Sequence, residues 1–318
     1  MASTNEGSIR LFRFAGIDVF LHWSWFLVAY YEMNARAGSY TSFTWNALEY
    51  LALFAIVLLH EFGHSLACRQ VGGVAERIVL WPLGGVAYVR PPQRPGAMLW
   101  SLAAGPLVNV VLAPVLFLLG TLMVNSGAAE TWPNGFSLLR AVAYINFGLL
   151  VFNLLPIYPL DGGQILRSLL WFVIGRAWSL TVATVLGFVG VAGLVLLAVA
   201  SKSVWLGVLS AFILLNSWRG LKRALYLMRL AKIPRREGLA CPECGAAPPT
   251  GAFWACPQCR NPFDVFEAKG ICPSCGTAGA GSAMGCMECG AASPIGAWTP
   301  SAEPPAPPAS TVPEGDSA

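Results

Sequence analysis

The stretch LALFAIVLLHEFGH, residues 51–64, determines both the fold class and the chemistry that we predict for this chain. Nine apolar residues lead into an HExxH motif that contains His60, Glu61 and His64. Histidines four positions apart lie on one face of a helix, so both imidazoles can bind one zinc ion while Glu61 lies beside the bound water. Because the motif ends a long apolar run, we expect this zinc site to lie inside a membrane.

The composition supports a membrane location. Of the 318 residues, 56% are hydrophobic and 11% are charged, against roughly 25% charged in an average soluble domain. Apolar runs long enough to cross a bilayer as helices occur at Ile17–Met33, Phe43–Cys68, Ala97–Val124, Leu139–Leu160, Leu180–Ala200 and Val204–Trp218. We therefore predict an all-α polytopic membrane protein with about six transmembrane helices. Residues 164–176 are ambiguous between a half-helix and an amphipathic surface segment.

The basic residues orient these spans. With the N-terminus inside, fifteen basic residues fall on the inner side and three on the outer side. The inner set is Arg10, Arg13, Arg69, Arg77, Arg90, Arg94, Arg167, Arg176, Arg219, Lys222, Arg223, Arg229, Lys232, Arg235 and Arg236, and the outer set is Arg36, Arg140 and Lys202. The positive-inside rule then predicts a multi-pass cell-membrane protein with both termini in the cytosol. The net charge of +4 needs no nucleic-acid partner to explain it.

The HExxH motif alone is an incomplete site, because catalytic zinc usually has three protein ligands and a water. The only other histidine is His22, and a carboxylate is the other option. Asp161 lies in NLLPIYPLDGG, residues 153–163, at the inner end of the fourth predicted span. The alternating topology places His60, His64 and Asp161 at the same depth, where an ionisable side chain is costly unless it is paired or liganded. We therefore predict Asp161 as the third ligand.

Eight of the nine cysteines follow the last span as four CxxC pairs. Two thiolates on one tight turn can hold one side of a tetrahedral ion, and two such turns complete a zinc site. The simplest pairing is sequential, with one structural zinc on Cys241, Cys244, Cys256 and Cys259 and a second on Cys272, Cys275, Cys286 and Cys289. Disulfides are the alternative, but thiols stay reduced in the cytosol. The spacing alone leaves iron–sulfur clusters open.

Three motifs together give the chain a family resemblance. HEFGH at residues 60–64, AGPLVN at 104–109 and NLLPIYPLDGG at 153–163 resemble, in order and spacing, motifs of the site-2 protease family of intramembrane zinc metalloproteases. The resemblance covers roughly residues 10–225. The chain resembles the compact branch of this family, because no inserted PDZ segment is evident in the sequence. It implies regulated intramembrane proteolysis of membrane-protein substrates such as sigma-factor regulators or precursor proteins.

Under this interpretation Glu61 is the catalytic base. It takes a proton from zinc-bound water as the water attacks a peptide carbonyl, and passes the proton to the leaving amine. Residues 77–89 are typical of a β-hairpin, and the resemblance implies that this hairpin dips into the membrane and presents an edge strand to the unwound substrate.

Four residues are predicted to bind the substrate on this basis. Gly84 and Gly85 lie at the turn of the hairpin, and Asn109 could bind the substrate backbone or the developing oxyanion. Asn153 is the fourth. Hydrogen bonding between helices is an equal alternative for both asparagines.

The predicted organisation has three parts: a membrane-embedded metalloprotease domain (1–236), tandem zinc ribbons (237–292) and a disordered Pro/Ala-rich tail (293–318). Few aromatic or basic residues separate the CxxC pairs, so a cytosolic protein partner is favoured over nucleic acid. We expect one catalytic and two structural Zn²⁺ ions, with the lipid bilayer and a transmembrane substrate as further partners. A membrane metal transporter and a non-catalytic adaptor that recruits partners through the ribbons are the alternatives from other functional classes.

Overall fold

The computed structural model describes residues 7–36, 38–81, 84–278 and 284–298. The chain forms two compact units, the first ending at Tyr226 and the second beginning at Leu227. The last apolar helix continues past its predicted end at Trp218 as far as Ala231. The boundary predicted at residue 236 therefore lies inside the second unit.

The helices account for most of the first unit. They are α1 (Trp25–Ala35), α2 (Phe43–Gln70), α3 (Pro95–Asn125), α4 (Ala128–Thr131), α5 (Pro133–Leu154), α6 (Asp161–Ala200) and α7 (Val204–Ala231). Among the described residues, five helices are long and apolar enough to cross a membrane, namely α2, α3, α5, α6 and α7. In the most apolar window of α2, 50% of the residues are buried in the protein, against 11% for α3. The helix that carries the HExxH motif is therefore the most enclosed of the five.

A four-stranded sheet packs against α2. Its strands are β1 (Ser8–Phe14), β2 (Ile17–His22), β3 (Val74–Trp81) and β4 (Gly84–Arg90), in the order β1-β2-β3-β4. β2 and β3 are parallel, and the other two pairs are antiparallel. The hairpin predicted at residues 77–89 is present as β3 and β4, although its turn residues Pro82 and Leu83 lie outside the described residues. It is half of a larger sheet.

The first predicted span, Ile17–Met33, is wrong as a continuous helix. It consists of β2 followed by α1, which has only 11 residues. A strand is possible here because β1 and β3 flank β2 on both sides and pair with its backbone. Ile17 and Val19 are fully buried, as expected for alternate residues of a strand with one face on a core.

The segment formed by β2 and α1 nevertheless runs back along almost the whole of α2. Near the end of α2, Arg69 Nη2 donates to the Gly16 carbonyl at 3.0 Å. Further towards its start, the Tyr50 hydroxyl donates to the Trp25 carbonyl at 3.0 Å. At the neighbouring residue of α2, Arg36 Nε donates to Glu49 Oε1. These contacts place the segment that contains β2 and α1 alongside α2 from Arg69 to Glu49.

The ambiguous segment 164–176 belongs to α6 and is helical. Gly175 interrupts the helix with φ 77° and ψ 173°, so α6 is two helical segments joined at a break. A positive φ of this size favours glycine, because other side chains would be strained there. The segment before the break is helical, and both its assignment as a half-helix and its assignment as an amphipathic surface segment stay predictions.

The second unit is built around the cysteines and a small aromatic core. Its strands form two hairpins, β5 (Trp254–Ala255) with β6 (Pro262–Phe263) and β7 (Met284–Gly285) with β8 (Ala292–Ser293). Trp298 is only 3% exposed and belongs to this core. The tail predicted to start at residue 293 therefore starts too early, because residues 293–298 pack as part of the module. Residues 299–318 lie outside the described residues.

Candidate metal sites

His60, His64 and Asp161 meet at one point in the first unit. The two histidines are four residues apart on α2, and Asp161 is the first residue of α6. Asp161 Oδ2 lies 3.0 Å from His60 Nε2 and 3.2 Å from His64 Nε2, and the two Nε2 atoms are 3.1 Å apart. Both imidazoles are buried. The structure thus brings together the three ligands that were predicted from separate motifs.

The donor set and its spacing fit a zinc ion. Two imidazoles and one carboxylate form a typical catalytic zinc ligand set, and ligand atoms at about 2.1 Å from a tetrahedral ion are about 3.4 Å apart. The three separations of 3.0–3.2 Å are close to that value. Three protein ligands leave a fourth position for water or substrate.

Each histidine is oriented by a hydrogen bond from its other ring nitrogen. His60 Nδ1 donates to Asn109 Oδ1 at 2.7 Å, and His64 Nδ1 donates to the Ser101 carbonyl at 2.8 Å. With a proton on each Nδ1, the lone pair of each Nε2 is directed into the cluster, which is the arrangement that a metal ligand needs.

Asn109 is itself held in place by Asn146 on α5. Asn109 Nδ2 donates to Asn146 Oδ1 at 2.8 Å, and Asn146 Nδ2 donates to the Asn109 carbonyl at 3.0 Å. Asn109 is fully buried, with both polar side-chain atoms engaged. The hydrogen bonding between helices that was the alternative interpretation is therefore present, and a substrate contact of Asn109 stays a prediction. Asn153 is half-buried in the last turn of α5, and its substrate contact stays a prediction.

Glu61 lies under the edge strand β4. Its Oε2 accepts a hydrogen bond from the Ala87 N–H at 3.0 Å, and the side chain is buried. Gly85 permits this close approach, because a Cβ at that position would lie 2.2 Å from Glu61 Cγ. Gly84 pairs with Trp81 in the β3–β4 ladder. The strand predicted to receive substrate thus crosses directly over the predicted base, while substrate contacts of both glycines stay predictions.

A second glycine makes room for the metal ligands themselves. A Cβ on Gly105 would lie 2.2 Å from His64 Nε2, so α3 can approach the histidine pair only with glycine at this position. Gly105 belongs to the AGPLVN motif, residues 104–109, that also contains Asn109.

His22, the alternative third ligand, lies elsewhere. Its ring stacks on Trp81 with centroids 4.0 Å apart, and its Nδ1 is hydrogen-bonded to the Ser24 hydroxyl. It is not part of the cluster of candidate ligands around His60 and His64.

Sequence reasoning missed two contributors to this site. The Ser101 carbonyl gives no sequence signal, because any residue could supply it. Asn146 does give a sequence signal, because it is a lone amide in the apolar run AVAYINFGLL, residues 141–150. An unpaired polar group would be costly there.

The eight cysteines of the second unit form two clusters, but not in the predicted pairing. The first and fourth CxxC pairs come together, as do the second and third, giving the outer cluster Cys241, Cys244, Cys286 and Cys289 and the inner cluster Cys256, Cys259, Cys272 and Cys275. The sequential pairing is therefore wrong. The links between successive pairs are similar in length, so spacing could not distinguish a sequential from a nested arrangement.

The sulfur positions fit tetrahedral zinc. Zn–S bonds of about 2.3 Å place tetrahedral sulfurs about 3.8 Å apart. The Cys241–Cys289 and Cys244–Cys286 sulfur atoms are each 3.8 Å apart. In the inner cluster the corresponding separations are 3.7 Å and 3.6 Å. Each cluster supplies four thiols, so these sites have no open coordination position.

Within each cluster the thiols shift one another's pKa in opposite directions, and the hydrogen bond to Cys286 raises the pKa of Cys244. The Thr277 hydroxyl lowers the pKa of Cys275 to about 6, and the Cys244 thiol lowers the pKa of Cys286 to about 5. Thiolates are the form that binds metal ions, so one ligand of each cluster is ready to coordinate at neutral pH.

Comparisons with known proteins agree with the geometry of the first unit. The sequence model for Peptidase family M50 matches residues 49–136 and 123–197, a range that holds all three motifs. A zinc metalloprotease of Methanocaldococcus jannaschii is 35% identical over 182 residues, which are 57% of this chain and 50% of the relative. Stage IV sporulation protein FB of Bacillus subtilis is 33% identical over 121 residues, 36% of this chain and 38% of that protein.

A solved structure matches as well. The site-2 protease from Methanocaldococcus jannaschii superposes with a TM-score of 0.50 and 29% sequence identity, over 67% of this chain and 95% of that chain. The chain spans half or less of the length of the two curated relatives. The cysteine clusters lie outside the residues matched by the family model.

Proposed function

Because this chain belongs to peptidase family M50, we propose that it is an intramembrane metalloprotease that hydrolyses peptide bonds in or near transmembrane segments of other membrane proteins. The observation that carries the proposal is that His60 and His64 meet Asp161 beside Glu61. The helices that carry these ligands are long enough to cross a membrane. A zinc ion bound to these ligands would polarise the scissile carbonyl and acidify a coordinated water.

Glu61 is the group that moves the proton. Its Oε2 is fixed by the Ala87 N–H, so Oε1 is the atom that accepts a proton from the attacking water and returns it to the leaving amine. Asn109 and Ser101 keep both imidazoles in the tautomer and orientation that the reaction needs.

The edge of β4 is where the substrate would bind. β4 is the last strand of the sheet, and the N–H of Ala87 is directed away from β3 towards Glu61. Residues of one parity along an antiparallel strand direct their main-chain groups to the same side, so Gly85 also presents its groups there. An unwound transmembrane segment could add to this edge as a strand and bring its carbonyl to the metal ligands.

The orientation follows from charge. Strands β1 to β4 form one sheet. Basic residues are more numerous on the side of the bilayer that holds this sheet, and after α7, than at the opposite ends of the membrane-spanning helices. The positive-inside rule supports a cell-membrane protein with both termini in the cytosol. A substrate would then reach Glu61 near the cytosolic side of the bilayer.

The second unit would hold two structural zinc ions, which makes three per chain with the catalytic ion. Closed four-thiolate sites stabilise a fold and leave no position for a substrate. A cytosolic protein is the partner class that suits this module, since Trp254 and Phe263 are buried in its core and few basic side chains surround them.

Glu61→Gln tests the proposal. Purified protein in proteoliposomes should lose cleavage of a co-reconstituted single-span reporter by about a thousandfold, within the range for general-base removal, while retaining zinc. Glu76→Gln is the matched control, because Glu76 is exposed on β3 and pairs only with Arg90 among the described residues. Normal cleavage by Glu61→Gln would contradict the role of Glu61 as the base, whereas a wild-type protein that does not cleave the reporter would favour the transporter or adaptor interpretation.

A further inference from the structure

Two arginines lie at the break in α6, away from the metal ligands, and a third on α7 lies near enough for its charge to act on one of them. Arg167 lies before the break, Arg176 follows it directly, and Arg223 lies on α7. Arg176 and Arg223 are close enough for their charges to act on Arg167, and Tyr158 is the remaining ionisable group of this set. Neighbouring positive charges add to the cost of burying the Arg167 guanidinium, and an anion bound to Arg167 would offset that cost.

Trp171 organises the arginines. The guanidinium carbons of Arg167 and Arg176 lie 5.9 Å and 5.3 Å from the centroid of its ring. In a straight helix, residues five apart are about 140° apart around the axis, so Arg176 would be directed away from Trp171. The break at Gly175 removes that constraint and brings both cations to one indole.

The Arg167 guanidinium has a buried N–H donor, at Nε, that lacks an acceptor in the described part of the chain. No carboxylate forms an ion pair with Arg167 there either, whereas Arg176 donates to the neutral Gln93 Oε1 at 2.6 Å. A buried guanidinium donor of this kind requires an oxygen acceptor, and a phosphate matches its planar fork of N–H groups.

The side chains around the arginines indicate which phosphate. Phe172, Val173 and Trp178 flank the break and are 59%, 83% and 60% exposed, as expected for side chains that face lipid. Basic side chains next to tryptophan at the end of a membrane helix are typical of the headgroup region. We propose that Arg167, Arg176 and Arg223 form a binding site for the phosphate of an anionic phospholipid headgroup. This site goes beyond the proposed proteolysis and does not depend on it.

Binding of short-chain lipids to the purified full-length protein in neutral detergent tests the site. We expect one equivalent of dihexanoyl phosphatidylglycerol to bind saturably by native mass spectrometry. Arg167→Gln and Arg223→Gln should each weaken this binding about tenfold, because each removes a charge-assisted contact. Lys222→Gln is the matched control: Lys222 is exposed on the same helix as Arg223 and lies over Trp218 instead. It should bind like the wild type.

Further arms separate the sources of phosphate. Arg167→Lys keeps the charge and the fold but loses the fork, and should bind with intermediate affinity. Inorganic phosphate should compete only weakly, and dihexanoyl phosphatidylcholine should bind more weakly than phosphatidylglycerol. Wild-type affinity in Arg167→Gln and Arg223→Gln would overturn the proposal. Equal affinity for inorganic phosphate would overturn the lipid assignment. Impaired reporter cleavage in these variants with unchanged lipid binding would overturn it in favour of an acidic substrate segment.

Discussion

The cluster of His60, His64 and Asp161 and the two cysteine clusters differ in what surrounds their ligand atoms. The histidines have hydrogen-bonded supports, a buried carboxylate beside them and three ligands in all. The cysteine clusters have four identical thiols each and short hairpins that close around them. An open, supported site suits catalysis, whereas a closed site suits the stabilisation of a small fold. Under the proposed function, the chain would therefore use zinc in two distinct ways.

The largest expected effect that tests this comparison is the loss of structural zinc. Structural zinc contributes on the order of 10 kcal/mol to folding in small zinc domains. The nested pairing predicts that Cys241→Ser combined with Cys286→Ser removes one equivalent of zinc per chain, because both residues serve the outer cluster. Cys241→Ser combined with Cys256→Ser should remove two. Elemental analysis of the purified variants measures both values.

The reverse result, with two equivalents lost in the first variant and one in the second, would restore the sequential pairing. Cleavage of the single-span reporter is the accompanying control. It should stay within about twofold of wild type in both variants if the second unit serves only its own fold. A collapse of cleavage would show that the two zinc regions are not independent.

A smaller effect is expected where the sheet touches the base. Gly85→Ala places a Cβ where Glu61 Cγ and Cδ now lie, so the carboxylate or β4 must shift. A displacement of about 1 Å at a catalytic group can cost about a hundredfold in rate, and reporter cleavage should fall by that amount with zinc content unchanged. Gly120→Ala on α3 is the control, because a Cβ at that position would have no neighbouring atom within 4 Å. Equal rates for the two variants would contradict the close contact.

The smallest effect is expected at the support of the histidines. Asn146→Ala leaves Asn109 without the amide that holds it, and should weaken zinc binding at the first unit by about tenfold, at the lower end of effects from such indirect supports. Competition with a chelator of known affinity measures the change. Asn216→Ala is the control, since Asn216 donates only to the Phe212 carbonyl of its own helix. Unchanged affinity in Asn146→Ala would mean that His60 is oriented without Asn109.

The sequence was sufficient where chemistry fixes spacing. The four-residue interval between His60 and His64 predicts a shared face on any helix, and the cost of an ionisable group in an apolar span identified Asp161. It was insufficient where several structures satisfy one pattern. The apolar run at Ile17–Met33 fits a continuous helix as well as it fits a strand followed by a short helix. Only pairing with the neighbouring strands makes β2 possible.

The same limit applies to the cysteines and to Asn109. Four equivalent CxxC pairs carry no record of which pairs meet, so the nested arrangement depends on tertiary packing. An amide in a membrane span predicts a hydrogen bond but not its partner. Asn109 is hydrogen-bonded to His60 and Asn146. The predicted boundaries at residues 236 and 292 differ from the unit boundary at Tyr226 and from the packing of residues 293–298, because composition changes less abruptly than packing.

Zinc content and cleavage measured together on Asp161→Ala test the central claim most directly, with the exposed Glu130→Gln of α4 as the control. We expect about three zinc equivalents in the wild type and the control, two in Asp161→Ala, and loss of reporter cleavage in that variant alone. Three equivalents in Asp161→Ala, or undiminished cleavage with two, would contradict a catalytic zinc ion held by His60, His64 and Asp161.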